Sequence, residues 1–117
     1  MKTKTTSTNH KWTQVQKDYW KDEATGLVWG PVLGQFTYDE CVDLDLIKNM
    51  PSKNQILEAY AHDALEVLPD ALGRFWTASV YSDLRTYAWF FYADYYGYMN
   101  LYNDYRGNNF SVRCVGR

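Results

Sequence analysis

The spacing of hydrophobic and polar positions changes in the second half of the chain. In the first half, apolar residues recur three or four positions apart, as Val42 and Leu46 do, which is the spacing of one helix face. From Phe75 onward the spacing is two, which is typical of strands. We therefore expect two helices followed by an antiparallel sheet, an α+β domain.

Two capping boxes predict where the helices begin. Thr37 and Glu40 are spaced for reciprocal hydrogen bonds at a helix start, and so are Ser52 and Gln55. The first box predicts a helix over about residues 38–47. The second predicts a helix whose buried stripe comprises Ile56, Leu57, Tyr60 and Ala64.

Short strands are expected near the N-terminus. Residues 12–15 alternate weakly, and residues 22–26 form a turn signal with Gly26 at its end. Residues 27–29 are typical of a short buried strand that ends at Gly30 and Pro31.

The C-terminal part predicts a sheet with one packed and one exposed face. Strands are expected at residues 75–79 and 110–115, with turns at residues 95–97 and 103–108. The predicted inward set is Trp89, Phe91, Ala93, Met99 and Leu101. The predicted outward set is Phe90, Tyr92, Asp94, Tyr98, Asn100 and Tyr102. Trp76 and Phe110 are assigned to the core, and Arg113 is expected to brace the last strand.

Tyrosine is concentrated in the last third of the chain. Eight of the eleven tyrosines lie between Tyr81 and Tyr105, and no lysine follows Lys53. Antibody binding loops have a similar composition of Tyr with Asn, Asp, Ser, Arg and Gly, because Tyr offers rigid contact area at low entropy cost. This excess indicates a contact surface, although aromatic residues also favour strands for packing alone.

Composition narrows the classes of function. With 117 residues and a net charge of −2, the chain is one domain without the basic character of a phosphate-binding protein, so no nucleic-acid partner is expected. No apolar run is long enough to span a membrane, so no direct membrane insertion is expected. Residues 1–10 are polar without an apolar core, which indicates a flexible lead-in or linker remnant rather than a signal peptide.

Chemistry-bearing motifs are missing from the sequence. It contains no phosphate loop, no dinucleotide fingerprint and no ordered Ser/His/Asp set, so we expect a protein that is not an enzyme. His62 near Glu58 and Glu66 lacks metal-ligand spacing, and neither a metal nor a cofactor is expected. Cys41 and Cys114 are either free or joined in one bridge, and the residues alone leave both states open.

Several local strings resemble the DUF1566 family in order. They are residues 22–29 (DEATGLVW), 50–56 (MPSKNQI), 75–79 (FWTAS), 88–89 (AW) and 112–115 (VRCV). The resemblance covers about residues 18–117 and implies a C-type-lectin-like fold with two helices, a small antiparallel sheet and long loops. It also implies a possible disulfide between Cys41 and Cys114. The Asn49-Met50 pair departs from the family's Arg-Leu, and the calcium-binding motifs of lectins are missing, so calcium-mediated sugar binding is not expected.

The C-terminal part is also similar to the variable region of proteins diversified by a diversity-generating retroelement. In that class, adenines of Asn codons are randomised, which yields types such as Tyr, Asp, Ser, Arg and Leu but never Lys, Glu, Gln, Met or Trp. The variable region that this similarity implies, residues 80–106 of a single domain over residues 11–117, contains mostly permitted types. Its exceptions, Trp89 and Met99, belong to the predicted inward set.

We therefore expect a receptor-like domain that binds a protein or glycan ligand through a diversified surface. Its anchors are Tyr81, Tyr87, Tyr92, Tyr95, Tyr96, Tyr98, Tyr102 and Tyr105. Its polar members are Asp83, Arg85, Asp94, Asn100, Asp104 and Arg106, although the three aspartates equally suit turns. The alternative is a fixed interaction or glycan-binding domain of an envelope or phage-tail protein. Display on a particle or cell surface through a partner fits either, and the oligomeric state is open.

Overall fold

One mixed sheet dominates the structure. The computed structural model describes residues 11–80 and 86–117. The strands within these residues are β1 (Trp12–Gln16), β2 (Tyr19–Asp22), β3 (Leu27–Phe36), β4 (Gly73–Val80), β5 (Tyr87–Ala93), β6 (Met99–Tyr105) and β7 (Phe110–Gly116). The helices are α1 (Tyr38–Asp43), α2 (Lys53–Ala61) and α3 (Ala64–Val67), with a 3₁₀ turn at Ile47–Asn49.

The last strand lies in the middle of the sheet. The seven strands follow the order β1-β2-β3-β7-β4-β5-β6. All neighbours are antiparallel except β4 and β7, which pair in parallel at Phe75 and Ser111. β7 therefore joins the N-terminal meander to the C-terminal hairpin, and β6 is left as an edge strand.

The expected fold class is wrong. We expected a C-type-lectin-like α+β domain of two helices and a small antiparallel sheet, but the described residues form a seven-stranded mixed sheet and are only 22% helical. β2 was not predicted, and β3 is ten residues long where a short strand was expected. The N-terminal strands thus enlarge the sheet, whereas the helices remain short.

Both helix starts are confirmed. The Thr37 side chain accepts from the Glu40 backbone N–H while Glu40 accepts from Thr37, and Ser52 and Gln55 do the same. α1 nevertheless ends at Asp43, short of the predicted end, since Asp45 takes a left-handed conformation with φ 60°. In the predicted stripe of α2, Ile56, Tyr60 and Ala64 are buried but Leu57 is exposed.

Pro31 does not end its strand. β3 continues through Gly30 and Pro31 to Phe36, whereas the sequence predicted an end at these residues. The ladder with β7 shifts register between Trp29 and Val32. A proline is tolerated at such a bulge because its missing N–H leaves no ladder bond unmade.

The centre of the sheet is covered on both faces. On one face, Phe75 and Phe91 pack with Ile56 and Tyr60 of α2 in a cluster that we call the α2 cluster. On the other face, a second cluster gathers around α1, and we call it the α1 cluster. Its buried members are Tyr38, Cys41, Met50, Trp76, Ala88, Phe90, Phe110 and Val112.

This two-sided burial overturns part of the predicted inside and outside assignment. Phe90 was expected on the exposed face but is only 6% exposed, because it packs beside Trp76 and Phe110 in the α1 cluster. Met99 was expected to point inward but is 37% exposed on edge strand β6. Trp89, assigned to the core, is half-buried, with the Lys53 ammonium 4.2 Å from the centre of its ring.

Arg113 braces the strands, as expected. Its side chain is buried, and its guanidinium donates hydrogen bonds to the backbone carbonyls of Gly30, Pro69 and Asp70. It also lies 5.5 Å from the ring centre of Phe75. Burial lowers the pKa of this guanidinium, while Tyr60 and Asp70 oppose the shift. One buried cation therefore ties β7 to β3 and to the segment before β4.

Replacement of Arg113 with Ala should lower the free energy of unfolding by about 3 kcal/mol, because three carbonyls lose their donor in a buried place. Urea denaturation followed by tryptophan fluorescence measures the change. The matched variant Arg117→Ala removes an exposed guanidinium and should cost less than about 0.5 kcal/mol. Equal losses in the two variants would show that the Arg113 contacts do not stabilise the fold.

Candidate functional site

A tyrosine-rich hairpin forms the exposed end of the sheet. We call residues 92–105, from the end of β5 through β6, the tyrosine hairpin. At its tip, Tyr95 is 82% exposed and Tyr96 is 90% exposed. Their rings contact each other edge to face, with centroids 5.7 Å apart. Tyr98, Tyr102 and Tyr105 are exposed as well, so the surface of the hairpin is largely aromatic.

Asp94 builds the turn of this hairpin. Its Oδ1 accepts hydrogen bonds from the backbone N–H groups of Tyr96 and Tyr98, at 2.9 and 3.0 Å. Gly97 adopts a φ of 87°, which glycine takes without strain. Of the two roles considered for Asp94, turn chemistry is the one for which the structure shows contacts. The turn that carries the tip tyrosines is therefore held by the side chain that directly follows β5.

A shallow groove lies beside the turn. It has a volume of about 280 Å³ and is lined by Arg74, Phe90, Tyr92 and Tyr102. Strand register explains this gathering, because Arg74 pairs with Tyr92 and Phe90 pairs with Tyr102 on the same face of the sheet. Phe90 forms the apolar floor, and its ring centroid is 5.7 Å from that of Tyr102.

Hydroxyl groups rim the groove. The hydroxyls of Tyr98 and Tyr102 are 2.5 Å apart, and that of Tyr92 donates to Asp94 Oδ2 at 3.4 Å. The hydrogen bond from Tyr102 lowers the pKa of Tyr98, and the same bond raises the pKa of Tyr102. The groove thus has an apolar floor surrounded by hydrogen-bond donors and acceptors. Such polar groups can orient a bound ligand.

The structure brings together only part of the predicted surface. Six of the predicted contact residues lie around the groove and the turn, namely Tyr92, Tyr95, Tyr96, Tyr98, Asn100 and Tyr102. Tyr87 and Tyr105 form a cross-strand pair at the other end of the hairpin, at positions that share the face of Phe91 and not that of Phe90. Tyr81, Asp83 and Arg85 lie outside the described residues.

Arg106, which the sequence placed among the ligand contacts, makes several contacts within the fold. Its guanidinium pairs with the Asp39 carboxylate at 2.8 Å and lies 4.9 Å from the ring centre of Tyr38. Its backbone exchanges further bonds, accepting from the Tyr38 N–H and donating to the Thr86 carbonyl. Burial raises the pKa of Tyr38 to about 12, and the Arg106 charge opposes that rise. Arg106 therefore fixes the start of α1 against the hairpin.

Asn100 and Asp104 cap the open edge of β6. The Asp94 N–H donates to the Tyr98 carbonyl, and the Arg106 N–H donates to the Thr86 carbonyl. In the antiparallel register, the even-numbered residues of β6 therefore form the backbone hydrogen bonds with β5. The N–H groups of Leu101 and Tyr105 point away from β5, toward the open edge. Asn100 Oδ1 accepts from Leu101 at 2.8 Å, and Asp104 Oδ1 accepts from Tyr105 at 2.7 Å. Two outward donors that could pair with another strand are thereby occupied.

Sequence reasoning missed Arg74 as a site residue. It lies on β4, before the predicted variable region, and its guanidinium is 5.3 Å from the centre of the Tyr92 ring. The signal that could have identified it is register, since a residue near the start of β4 comes opposite the end of β5 in an antiparallel pair. The sequence alone did not fix that register.

Cys41 and Cys114 are free thiols in the structure. Cys41 is buried in the α1 cluster, and burial together with the charge of Glu40 raises its pKa to about 11. Burial also raises the pKa of Cys114, which is half-buried on β7. The possible disulfide is therefore not formed, and neither thiol is activated as a nucleophile.

His62 is a structural residue. Its Nδ1 lies 2.7 Å from Oδ2 of the buried Asp22, and its backbone carbonyl accepts from the Trp12 indole. This joins α2 to the N-terminal strands. Across residues 11–80 and 86–117, no group of three or more His, Cys, Asp or Glu residues is arranged to hold a metal ion.

The comparisons with known proteins give no relative: no family model, curated protein or solved structure matches this chain. Within the described part of the chain, no helix has the length and apolar character needed to cross a membrane.

Replacement of both Asn100 and Asp104 with Ala should speed hydrogen exchange at the Leu101 and Tyr105 amides about fivefold, since each loses a hydrogen bond worth about 1 kcal/mol. Exchange of the assigned amides followed by NMR measures this. Asn54→Ala, an exposed change on α2, is the control and should leave both rates unaltered. Unchanged rates in the double variant would mean that the two side chains do not protect the edge.

Cys114 should react with a thiol reagent faster than Cys41 at pH 8. A pKa of about 11 leaves roughly one thousandth of the Cys41 thiol ionised, and its burial also blocks access. Mass spectrometry of peptides from the native protein, sampled over time after labelling, gives both rates. Faster labelling of Cys41 would contradict its placement in the α1 cluster.

Proposed function

We propose that this domain binds a protein or glycan ligand through the tyrosine hairpin and the adjoining groove. The observation that carries the proposal is the exposure of Tyr95 and Tyr96, 82% and 90%, at a turn held by Asp94. Large aromatic side chains on a rigid support supply buried area on binding at little entropic cost. Patches of this kind on soluble proteins mark interaction sites.

The support is separate from the surface it carries. Phe90 and Phe91 are buried on opposite faces of β5, so the strand beneath the hairpin is fixed by packing. Across from β5, the hydroxyls of Tyr98 and Tyr102 contact each other, and their rings lie beside those of Tyr92 and Phe90, yet both side chains remain exposed. Changes at such exposed positions usually cost little stability. A surface with this property accepts new side chains without loss of the fold.

We further propose that the hairpin surface is varied by a diversity-generating retroelement. The support for this comes from the sequence: the exposed positions of the hairpin other than Met99 carry types that a randomised Asn codon permits. The exposure of Met99 weakens the argument, because its type is not permitted and a framework position was expected to be buried. The codon argument concerns residue types and not the scaffold, so the correction of the fold class does not bear on it.

DNA sequencing around the gene tests the proposal. We expect a near-copy of the codons for residues 80–117 that differs only at positions where the copy has adenine, together with a reverse transcriptase gene. The differing positions should include the codons of Tyr95, Tyr96, Tyr98 and Tyr102. A complete neighbourhood without a repeat would reject diversification, and the hairpin would then be a fixed interaction surface.

A further inference from the structure

The groove beside the tyrosine hairpin is lined by Arg74. Within the described part of the chain, the N–H groups of its guanidinium donate no hydrogen bond. Arg74 is exposed and stacks over the Tyr92 ring, 5.3 Å from its centre. The ion pairs among residues 11–80 and 86–117 join other residues, and no hydrogen bond of the Arg74 guanidinium occurs there. The guanidinium lines the groove from its place over this ring, and its planar edge suits a carboxylate.

The rest of the groove suits a ring that carries hydroxyl groups. The buried Phe90 ring provides an apolar floor, and Tyr92 and Tyr102 provide aromatic walls. The hydroxyls of Tyr98 and Tyr102 and the turn at Asp94 provide a polar rim. The volume of about 280 Å³ is at the small end of ligand sites, so it accepts one ring of a larger molecule.

We infer that this groove binds a sugar ring bearing a carboxylate, such as a uronic acid unit of an acidic glycan, with Arg74 holding the carboxylate. The inference rests on the proposed function and names the ligand class of the same surface. The C–H face of the ring lies on the aromatic side chains, and the rim hydroxyls bind the sugar hydroxyls. A neutral sugar uses the same rings but leaves the guanidinium unused.

Carboxylates of the protein restrict where the anion lies. Asp94 is beside Tyr92, but its oxygens already accept from Tyr92, Tyr96 and Tyr98. Asp104 is on β6 and accepts from the Tyr105 backbone. Asp94 lies at the turn, and Asp104 lies toward the other end of β6, opposite Ala88. Both repel a ligand carboxylate, so Arg74 is the side chain of the groove that can hold one. A ligand with several adjacent charges fits this arrangement less well than one with a single charge.

The edge of β6 argues against an acidic peptide as the occupant. An extended peptide gains most by adding a strand to an open edge. Here the outward N–H groups of Leu101 and Tyr105 already bond to Asn100 and Asp104, so strand addition must first displace two hydrogen bonds. A glycan uses the side chains of the face and needs no part of this edge.

Binding to an array of oligosaccharides, with titration of the strongest binders by calorimetry, tests the inference. Wild-type protein should bind glucuronate-containing oligosaccharides more tightly than matched glucose oligosaccharides. Arg74→Gln should weaken the acidic sugar roughly tenfold, the effect of a lost hydrogen bond to a charged group, and leave the neutral sugar unchanged. Arg74→Lys should restore part of the loss, and added salt should weaken only the acidic sugar.

Two controls separate this inference from the proposed function. Arg117→Gln removes an exposed guanidinium that follows β7, and it should not alter sugar binding. Tyr102→Ser should weaken the binding of every ligand of the groove.

A ligand whose binding depends on Tyr102 but not on Arg74 overturns the anion assignment and keeps the proposed function. An Arg74-dependent glutamyl peptide, on a matched peptide array, overturns the sugar assignment alone. Binding that neither variant alters overturns the sugar inference, and it overturns the proposed function as well if Tyr95→Ser and Tyr96→Ser also leave it unchanged.

Discussion

Burial of β5 on both faces is the constraint on which the rest of the structure depends. Phe91 packs against Tyr60 of α2, with ring centroids 4.4 Å apart, while Phe90 packs against Phe110 on the opposite face at 4.7 Å. Each large ring contributes about 1.5 to 3 kcal/mol by leaving water. The strand is therefore fixed in place, and β6 and its turn are the part of this hairpin left for contact with solvent or a ligand.

The hairpin is ordered by polar contacts that a purely aromatic surface would lack. Asp94 holds the turn, and Asn100 and Asp104 occupy outward N–H groups of the edge strand. Exposed edges without such protection favour pairing with other chains. Three residues expected to touch a ligand thus bond to the backbone that presents the tyrosines. In the proposed binding mode, the aromatic rings, their hydroxyls and Arg74 contact the ligand.

Local signals in the sequence predicted local structure, and long-range pairing was the limit. The capping boxes at Thr37 and Ser52 and the turn at residues 95–97 are confirmed, because each depends on neighbours within a few residues. The predicted exposure of Phe90 and burial of Met99 were wrong, since period two separates the two faces of a strand but does not reveal how far each face is covered. Arg74 was missed because only the register between β4 and β5 places it beside Tyr92, and the sequence does not reveal that register.

The central claim is that packing of β5 fixes the fold while the tyrosine hairpin is free to vary. A measurement of folding stability for Ser substitutions across residues 86–106, by display and proteolysis, tests this most directly. We expect Tyr95, Tyr96 and Tyr98 to tolerate Ser with losses below about 0.5 kcal/mol, and Phe90 and Phe91 to lose about 3 kcal/mol or more. Comparable losses at the exposed tyrosines would show that they build the fold, which would contradict a surface made for binding.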